Sequence, residues 1–273
     1  MTHPKQLLAH YGLSPKKSLG QNFLFDDQLL ARIAAAANLI EDDQVLEIGP
    51  GLGALTKHLA QHAGRVVAIE LDDRLWPILE RELIPYPQVT LVQGDILDAD
   101  PAGWFGVKPF KVVANVPYYI TGAILRHLLT GRARPTLLVL TVQKEVAQRL
   151  TASPGEMSLL AVSVQFYGEV EIVGEIKAGA FWPRPDVDSA IVRIKVRPEL
   201  PVTDVDSFFR LARAGFSQKR KQLQKNLRGL GYSKKEIRQV METAGIDPAR
   251  RAETLSIPEW CTLATLLNSL ENN

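Results

Sequence analysis

Asn115, Val116, Pro117 and Tyr118 place two hydrogen-bond acceptors and a flat aromatic face within four consecutive residues. The Asn115 side-chain carbonyl and the Val116 main-chain carbonyl, whose direction the following proline fixes, can converge on the two hydrogens of one amino group. Tyr118 offers a π-face beside them. An unpaired adenine presents the complementary surface, with an exocyclic amine to be held and a ring to be stacked. The quartet follows an apolar run, 110–113, that reads as a buried parallel strand. Asn115 is therefore predicted at that strand's carboxyl end, where open α/β sheets bind their ligands.

Three further strand ends must be positioned with it. Residues 45–48 lead into Gly49-Pro50-Gly51-Leu52-Gly53 and then into helical spacing at Leu55, Leu59 and Ala60, the opening of a Rossmann-like βαβ unit. The glycines follow G-x-G-x-G rather than the G-x-G-x-x-G of dinucleotide enzymes, and Glu47 interrupts a strand those enzymes keep apolar. Both differences favour S-adenosylmethionine, which has no pyrophosphate but carries an ammonium that needs acidic or carbonyl partners. A second strand, 65–70, ends in Glu70, placed to accept ribose hydroxyls; Asp72 competes for that role, and a helix cap is the alternative for Glu70. A third, 89–92, delivers Gly94-Asp95-Ile96, where a carboxylate can accept the amino group of the donor's own adenine.

The rest of the chain is predicted to frame this row. Residues 1–20 carry Lys5, Lys16 and Lys17 without an acid and read as a basic, partly mobile arm. A helix capped by Asp26 or Asp27 and running to about Asn38 should clamp Gln21-Asn22-Phe23-Leu24 onto the domain. Helix 121–129, strand 136–142, a helix to about 150 and a further helix over 158–167 follow. Strands 170–176 and 189–196 look like a closing hairpin, joined by a proline-stiffened loop that contains Phe181 and Arg184. Phe181 is expected to press on a base opposite Tyr118; a plug buried in the core is the alternative. Composition shifts near Pro198 and Pro201, so the domains are expected as 1–200 (α/β, catalytic) and 201–273 (all helical).

The 273 residues are 46% hydrophobic and carry a net charge of only +2. The charge is unevenly spread, however. Between Arg193 and Arg238 lie 13 Lys and Arg against four acids, the footprint expected for a phosphate backbone, with a solvated helix face as the plainer reading. Lys16, Lys17, Arg184, Lys219, Arg220, Lys221 and Lys225 are the RNA-contacting candidates, with Gln218–Lys221 expected as a stripe on the helical domain. No run is apolar enough to span a membrane or to serve as a signal peptide, so a cytoplasmic protein is expected; a monomer is expected in solution, although nothing in the residues determines it. A single cysteine, Cys261, excludes an internal disulfide framework and reads as a packed helix residue. His58 and His62 stand four apart but lack the third ligand of a zinc motif, and no metal is expected.

With these residues in place, the chain resembles the ribosomal RNA adenine dimethylase family from about Lys17 to Leu267. The similarity runs through Gly20-Gln21-Asn22-Phe23-Leu24, Glu47-Ile48-Gly49-Pro50-Gly51, Gly94-Asp95, Asn115-Val116-Pro117-Tyr118, Val187-Asp188-Ser189 and Gly245-Ile246-Asp247-Pro248. The order and spacing of these segments are specific where each alone is not. The resemblance implies that Asn22, Leu24, Gly49, Gly51, Glu70, Asp95, Ile96 and Asn115 contact S-adenosylmethionine, leaving S-adenosylhomocysteine as product, and that Tyr118 and Phe181 sandwich the target base. It also implies two adjacent adenines in a hairpin of small-subunit (16S) rRNA, within a ribosomal precursor, as substrate. Gly245 to Ser256 resembles small-subunit enzymes. Large-subunit rRNA methylation, DNA adenine methylation, or a methylase-fold assembly or transcription factor acting by binding are the alternatives. Val116 stands where the family often has Leu, and Tyr119 where many members have Asn.

Overall fold

The strands that carry the row are short aliphatic runs, and in the computed structural model, which describes residues 2–271, those ending at Ile48, Glu70 and Asn115 are largely buried, whereas the one before Asp95 is only partly covered. Chain order begins with α1 (Pro4–His10), β1 (Phe23–Leu24), α2 (Asp27–Ala36), β2 (Gln44–Ile48), α3 (Ala54–Ala60), β3 (Arg65–Glu70) and α4 (Trp76–Glu82). It continues through β4 (Val89–Gln93), α5 (Ala102–Phe105), β5 (Lys111–Asn115), α6 (Thr121–Thr130), β6 (Leu137–Gln143), α7 (Lys144–Leu150) and α8 (Leu159–Tyr167). It then returns through β7 (Gly168–Ile176), β8 (Phe181–Trp182) and β9 (Ser189–Val196), and closes with α9 (Val205–Gly215), α10 (Leu223–Asn226), α11 (Lys234–Thr243) and α12 (Ile257–Glu271).

Seven strands form one sheet in the order β4-β3-β2-β5-β6-β9-β7, while β1 and β8 pair separately. The five from β4 to β6 are parallel and β9 runs antiparallel to β6. Val45, Leu46, Val112, Val113, Leu138 and Val139 are fully buried, as strands covered by helices on both faces require. The register sets the chemistry: Ile48 pairs with both Ile69 and Ala114, and Glu70 pairs with Gln93. Gly49, Glu70, Gln93 and Asn115 therefore end level with one another, and strand order reverses between β2 and β5 at that edge.

The predicted basic arm is in fact a docked segment. His3 caps α1 by accepting from the Lys5 amide, Pro4 occupies the first helical position, and Leu8 is 1% exposed in a cluster with Phe23, Leu52, Leu75, Ile78 and Leu79. Burying a leucine contributes about 2 kcal/mol, enough to hold a seven-residue helix that would not form in isolation. Only the following turn keeps the expected character, with Lys16 and Lys17 exposed.

The chain divides into two compact units, Met1–Ala147 with Glu169–Val196 and Gln148–Gly168 with Arg197–Asn273. Segment 148–168 thus groups with the C-terminal helices rather than with the sheet, whereas the sequence reading put a single boundary near 200. The physical reason lies in α8: Phe166 stacks on Phe208 with ring centroids 4.2 Å apart, and Arg197 Nη1 donates to the Gln165 carbonyl at 2.6 Å. Within this helical unit Asp204 caps α9 by accepting from Ser207 N, and these bonds with Asn268 hold its carboxyl down at about 2. Trp260 is completely buried against Gly215, where a side chain would collide with the indole. Cys261 is buried in α12, and burial pushes its thiol up to about 11.

Candidate active site

At the carboxyl edge of β2–β5 a cavity of about 340 Å³ opens. Every residue expected to hold the methyl donor or the target base lines it: Asn22, Leu24, Gly49, Gly51, Glu70, Asp95, Ile96, Asn115, Val116, Pro117, Tyr118 and Phe181. The basic candidates Lys16, Lys17, Arg184, Lys219, Arg220, Lys221 and Lys225 lie outside it and are exposed.

The glycine turn is held in shape by the protein itself. Gly49, Gly51 and Gly53 all have positive φ, and Glu70 Oε2 accepts from Gly51 N at 3.0 Å. A Cβ built on Gly49 would meet no protein atom, so that backbone borders open cavity. The second Glu70 oxygen accepts from Asp72 N at 2.8 Å, and burial raises the carboxyl's pKa. Asp72 does not line the cavity. Its oxygens are taken by Arg74 and by Gln21 Nε2 at 2.7 Å, and the Arg74 bonds hold its pKa low. That pairing removes Asp72 from competition for a ribose. Asp95 Oδ1 accepts from Leu97 N at 2.9 Å, an Asx turn that leaves Oδ2 to the cavity side.

Glu47 is the least expected member of this wall. It is 1% exposed, its Oε2 has no hydrogen-bond partner among the described residues, and burial, with Glu70 adding to it, pushes its carboxyl up to about 8. An unsatisfied buried acceptor next to a second raised carboxyl is a site that a cation would relieve. The ammonium and sulfonium of S-adenosylmethionine suit this donor set.

Asn115, half-buried at the end of β5, donates from Nδ2 to the Asn22 carbonyl at 3.4 Å. With that amide orientation, assigned from the hydrogen-bond pattern, its side-chain carbonyl remains available as an acceptor. Pro117 at φ −58° fixes the Val116 peptide beside it. Tyr118 follows in a 3-10 turn, its hydroxyl 2.7 Å from Ser189 Oγ at the start of β9, and burial raises its pKa. Phe181 is 3% exposed; it belongs to the core cluster with Leu24, Leu30 and Ile191 and also borders the cavity.

Sequence reasoning missed the contribution of α1: Thr2, Pro4 and Leu7 line the same cavity. Pro4 directly after a capping His3, with Leu7 and Leu8 behind it, was the available signal. His58 is used elsewhere, 3.0 Å from Asp27 Oδ1, and among the described residues no cluster of His, Cys, Asp or Glu is arranged to hold a metal ion. Among them also no helix is long and apolar enough to cross a membrane.

Comparison with known proteins decides what this arrangement is. The family model described as Ribosomal RNA adenine dimethylase matches residues 12–269. The chain belongs to the ribosomal RNA adenine dimethylase family. Among curated members, Ribosomal RNA small subunit methyltransferase A of Dehalococcoides mccartyi strain CBDB1 is 48% identical over 266 residues, covering 95% of this chain and 91% of that relative. The protein of the same name from Moorella thermoacetica is 46% identical, with 96% and 95% covered. Among solved structures, a dimethyladenosine transferase from Plasmodium falciparum has a TM-score of 0.81 at 27% identity, covering 90% of this chain and 98% of that one. The 23S rRNA methyltransferase ErmE has a TM-score of 0.75 at 31% identity, with 90% and 100% covered. This dimethylase therefore has a Rossmann-like methyltransferase sheet and a helical C-terminal region in common with them, and is a methyltransferase acting through S-adenosylmethionine.

Proposed function

We propose that the chain dimethylates the exocyclic amines of two adjacent adenines in a hairpin near the 3′ end of 16S rRNA, in a precursor of the small ribosomal subunit. The observation that carries this reading is the single cavity in which Asn115, Val116 and Tyr118 meet the glycine turn, Glu47, Glu70 and Asp95. Relatives at 46–48% identity that bear the small-subunit name support the choice of RNA.

When bound, S-adenosylmethionine supplies an electrophilic methyl group on a sulfonium. The chain's own residues prepare the amine. An adenine amine is a poor nucleophile because its lone pair is delocalised into the ring. Asn115 and the Val116 carbonyl would accept its two N–H bonds, turning the lone pair out of conjugation and stabilising the positive charge that builds on nitrogen. Tyr118, anchored through Ser189, would stack on the ring, with Phe181 bounding the opposite side. No poised general base is needed, because the alkylated nitrogen is acidic and its proton can leave to water. For the second methylation only one N–H remains, so the pocket must accept a methyl where the first round had a hydrogen. Glu47, Glu70 and Asp95 would bind the donor's ammonium, ribose and adenine amine respectively, and Asn22, Leu24, Gly49, Gly51 and Ile96 would complete its walls.

Incubating the protein and labelled S-adenosylmethionine with immature small subunits, large subunits and duplex DNA, followed by nucleoside analysis, tests the assignment. Dimethyladenosine in the small subunit alone is the expected result. Label in large subunits or DNA would move the substrate, and label in none would leave a binding factor.

RNA affinity should come from exposed cations. Lys219, Arg220 and Lys221, expected as part of a stripe on the helical domain, sit in the turn between α9 and α10, because α9 stops at Gly215. Asn226 Nδ2 ties the turn down through the Gly215 carbonyl at 2.5 Å and the Gln218 carbonyl at 3.1 Å. With Lys225 on α10, and with Lys16, Lys17 and Arg184 on the sheet unit, these residues are proposed phosphate contacts. Reversing all three charges at 219–221 to Glu should weaken small-subunit binding at least tenfold and lower the slope of log Kd against log salt by about 2 to 3. Unchanged binding in a filter assay across a salt series would remove this turn from the interface.

A further inference from the structure

Among the described residues that line the cavity, Tyr119 is the most exposed aromatic side chain. It is 63% exposed, yet it lines the mouth of the cavity beside Tyr118. The two tyrosines are consecutive in a 3-10 turn, where successive side chains diverge by about 120°. One is therefore anchored inward through Ser189, and the other stands on the rim. The Tyr119 ring nonetheless has a close neighbour along one edge. Gly20, at φ +61°, comes so close that a Cβ there would lie 3.2 Å from Tyr119 Cε1, 3.4 Å from Cδ1 and 3.4 Å from Pro117 Cβ. One ring edge rests on the Gly20 backbone, and the hydroxyl has no hydrogen-bond partner among the described residues. The loop that brings Gly20 here exposes Lys16 and Lys17 directly before it.

A solvent-facing aromatic packed on a segment that exposes cations is a combination by which proteins hold single-stranded nucleic acid: the ring takes a base face and the cations take the flanking phosphates. Neither folding nor donor binding gives Tyr119 a reason to face water. We propose that Tyr119 is the stacking platform for the nucleotide adjacent to the adenine being methylated, with Lys16 and Lys17 neutralising the phosphates on that side. This inference rests on the functional reading above and adds to it. If two neighbouring adenines are the targets, the strand's fixed polarity puts the other adenine on Tyr119 in one round and the nucleotide outside the pair there in the other, so the ring takes a flanking base in both.

The test compares Tyr119→Ala, Tyr119→Phe and Tyr119→Trp on immature small subunits and on a short hairpin whose neighbouring adenine is either present or abasic. With the intact hairpin, Y119A should raise KM about tenfold while kcat changes little, and Y119F and Y119W should stay within about threefold of the parent. On the abasic hairpin, Y119A and the parent should have the same KM, because the partner of the ring is already gone. S-adenosylmethionine affinity, read by calorimetry, should be unaltered in all three variants. An unchanged KM for Y119A, an equal loss on the abasic hairpin, or a Y119F as impaired as Y119A would each overturn the proposal. So would a parallel loss of donor affinity. A parent enzyme that failed to methylate small subunits or the hairpin would instead overturn the functional reading, so the two failures are distinguishable.

Discussion

Asn115→Ala should cut methyl transfer by about 10²- to 10³-fold while leaving small-subunit affinity within about threefold, because the lost acceptor acts mainly on charge that develops during the reaction. The fold should tolerate the change. Asn115 is only half-buried, and the side-chain hydrogen bond it makes among the described residues, to the Asn22 carbonyl, is long at 3.4 Å. Asn115→Asp keeps an acceptor oxygen in place and should be less damaging than alanine. Single-turnover rates with saturating donor, set beside binding curves for the same variants, separate chemistry from association. An alanine variant that turns over at close to the parent rate would show that the amine is activated elsewhere.

Glu47→Gln should have opposite effects on stability and on donor binding. The folded-state pKa is raised from 4.5 to about 8 by burial, so between those values the native state retains a proton that the unfolded chain gives up. Native stability is then fully present below pH ~4.5 and declines by about 1.4 kcal/mol per pH unit until the folded-state value is passed. Glutamine has no proton to give up. The variant's stability relative to the parent should therefore improve by roughly 3 kcal/mol between pH 5 and pH 8 in urea titrations of the donor-free protein. Glu70 is shifted in the same direction, so both proteins retain a smaller residual slope and the difference isolates position 47. With donor added, the sign reverses. A cation beside Glu47 favours the carboxylate, so binding at pH 7 should release up to about one proton in the parent and far less in E47Q, with weaker affinity in the variant. Calorimetry in buffers of different ionisation enthalpy measures that proton. Equal release from both proteins would place the donor's ammonium away from Glu47.

Much of this site could be read from the chain because local chemistry and strand register coincide. β3 was bounded correctly at Arg65–Glu70 because an aliphatic run lies between two charges, and β5 differed by a residue or two at its ends. Asn115, Glu70 and Asp95 were conspicuous as polar residues at the ends of apolar strands. What stayed hidden depended on distant packing. Helix α1 is too short to show a period, and only the cluster around Leu8 accounts for its being a helix. The grouping of 148–168 with the C-terminal helices follows from Phe166 meeting Phe208, a contact that no local window contains. Phe181 is buried in the core cluster, as the plug alternative had it, and it also borders the cavity, so its burial does not by itself separate the two readings. The basic residues 219–221 were identifiable as cations, but their turn is held by Asn226 bonding back to the Gly215 and Gln218 carbonyls, a contact outside any local pattern.

The reversal of strand order between β2 and β5 splits responsibility within a single pocket. The carboxylates proposed to hold the methyl donor hang from β2, β3 and the turn after β4, with Asn22 and Leu24 completing that side from β1 and its approach, whereas the groups proposed to grip and stack the acceptor hang from the end of β5 and the loops beyond it. Changes on one side of that seam can therefore retune which nucleic acid is modified without disturbing the reagent that modifies it. A lineage built on this sheet could explore new targets by remodelling half a cleft, and a chimera exchanging only the segments after β5 with those of a relative of different specificity should inherit that relative's choice of RNA along with this chain's donor affinity.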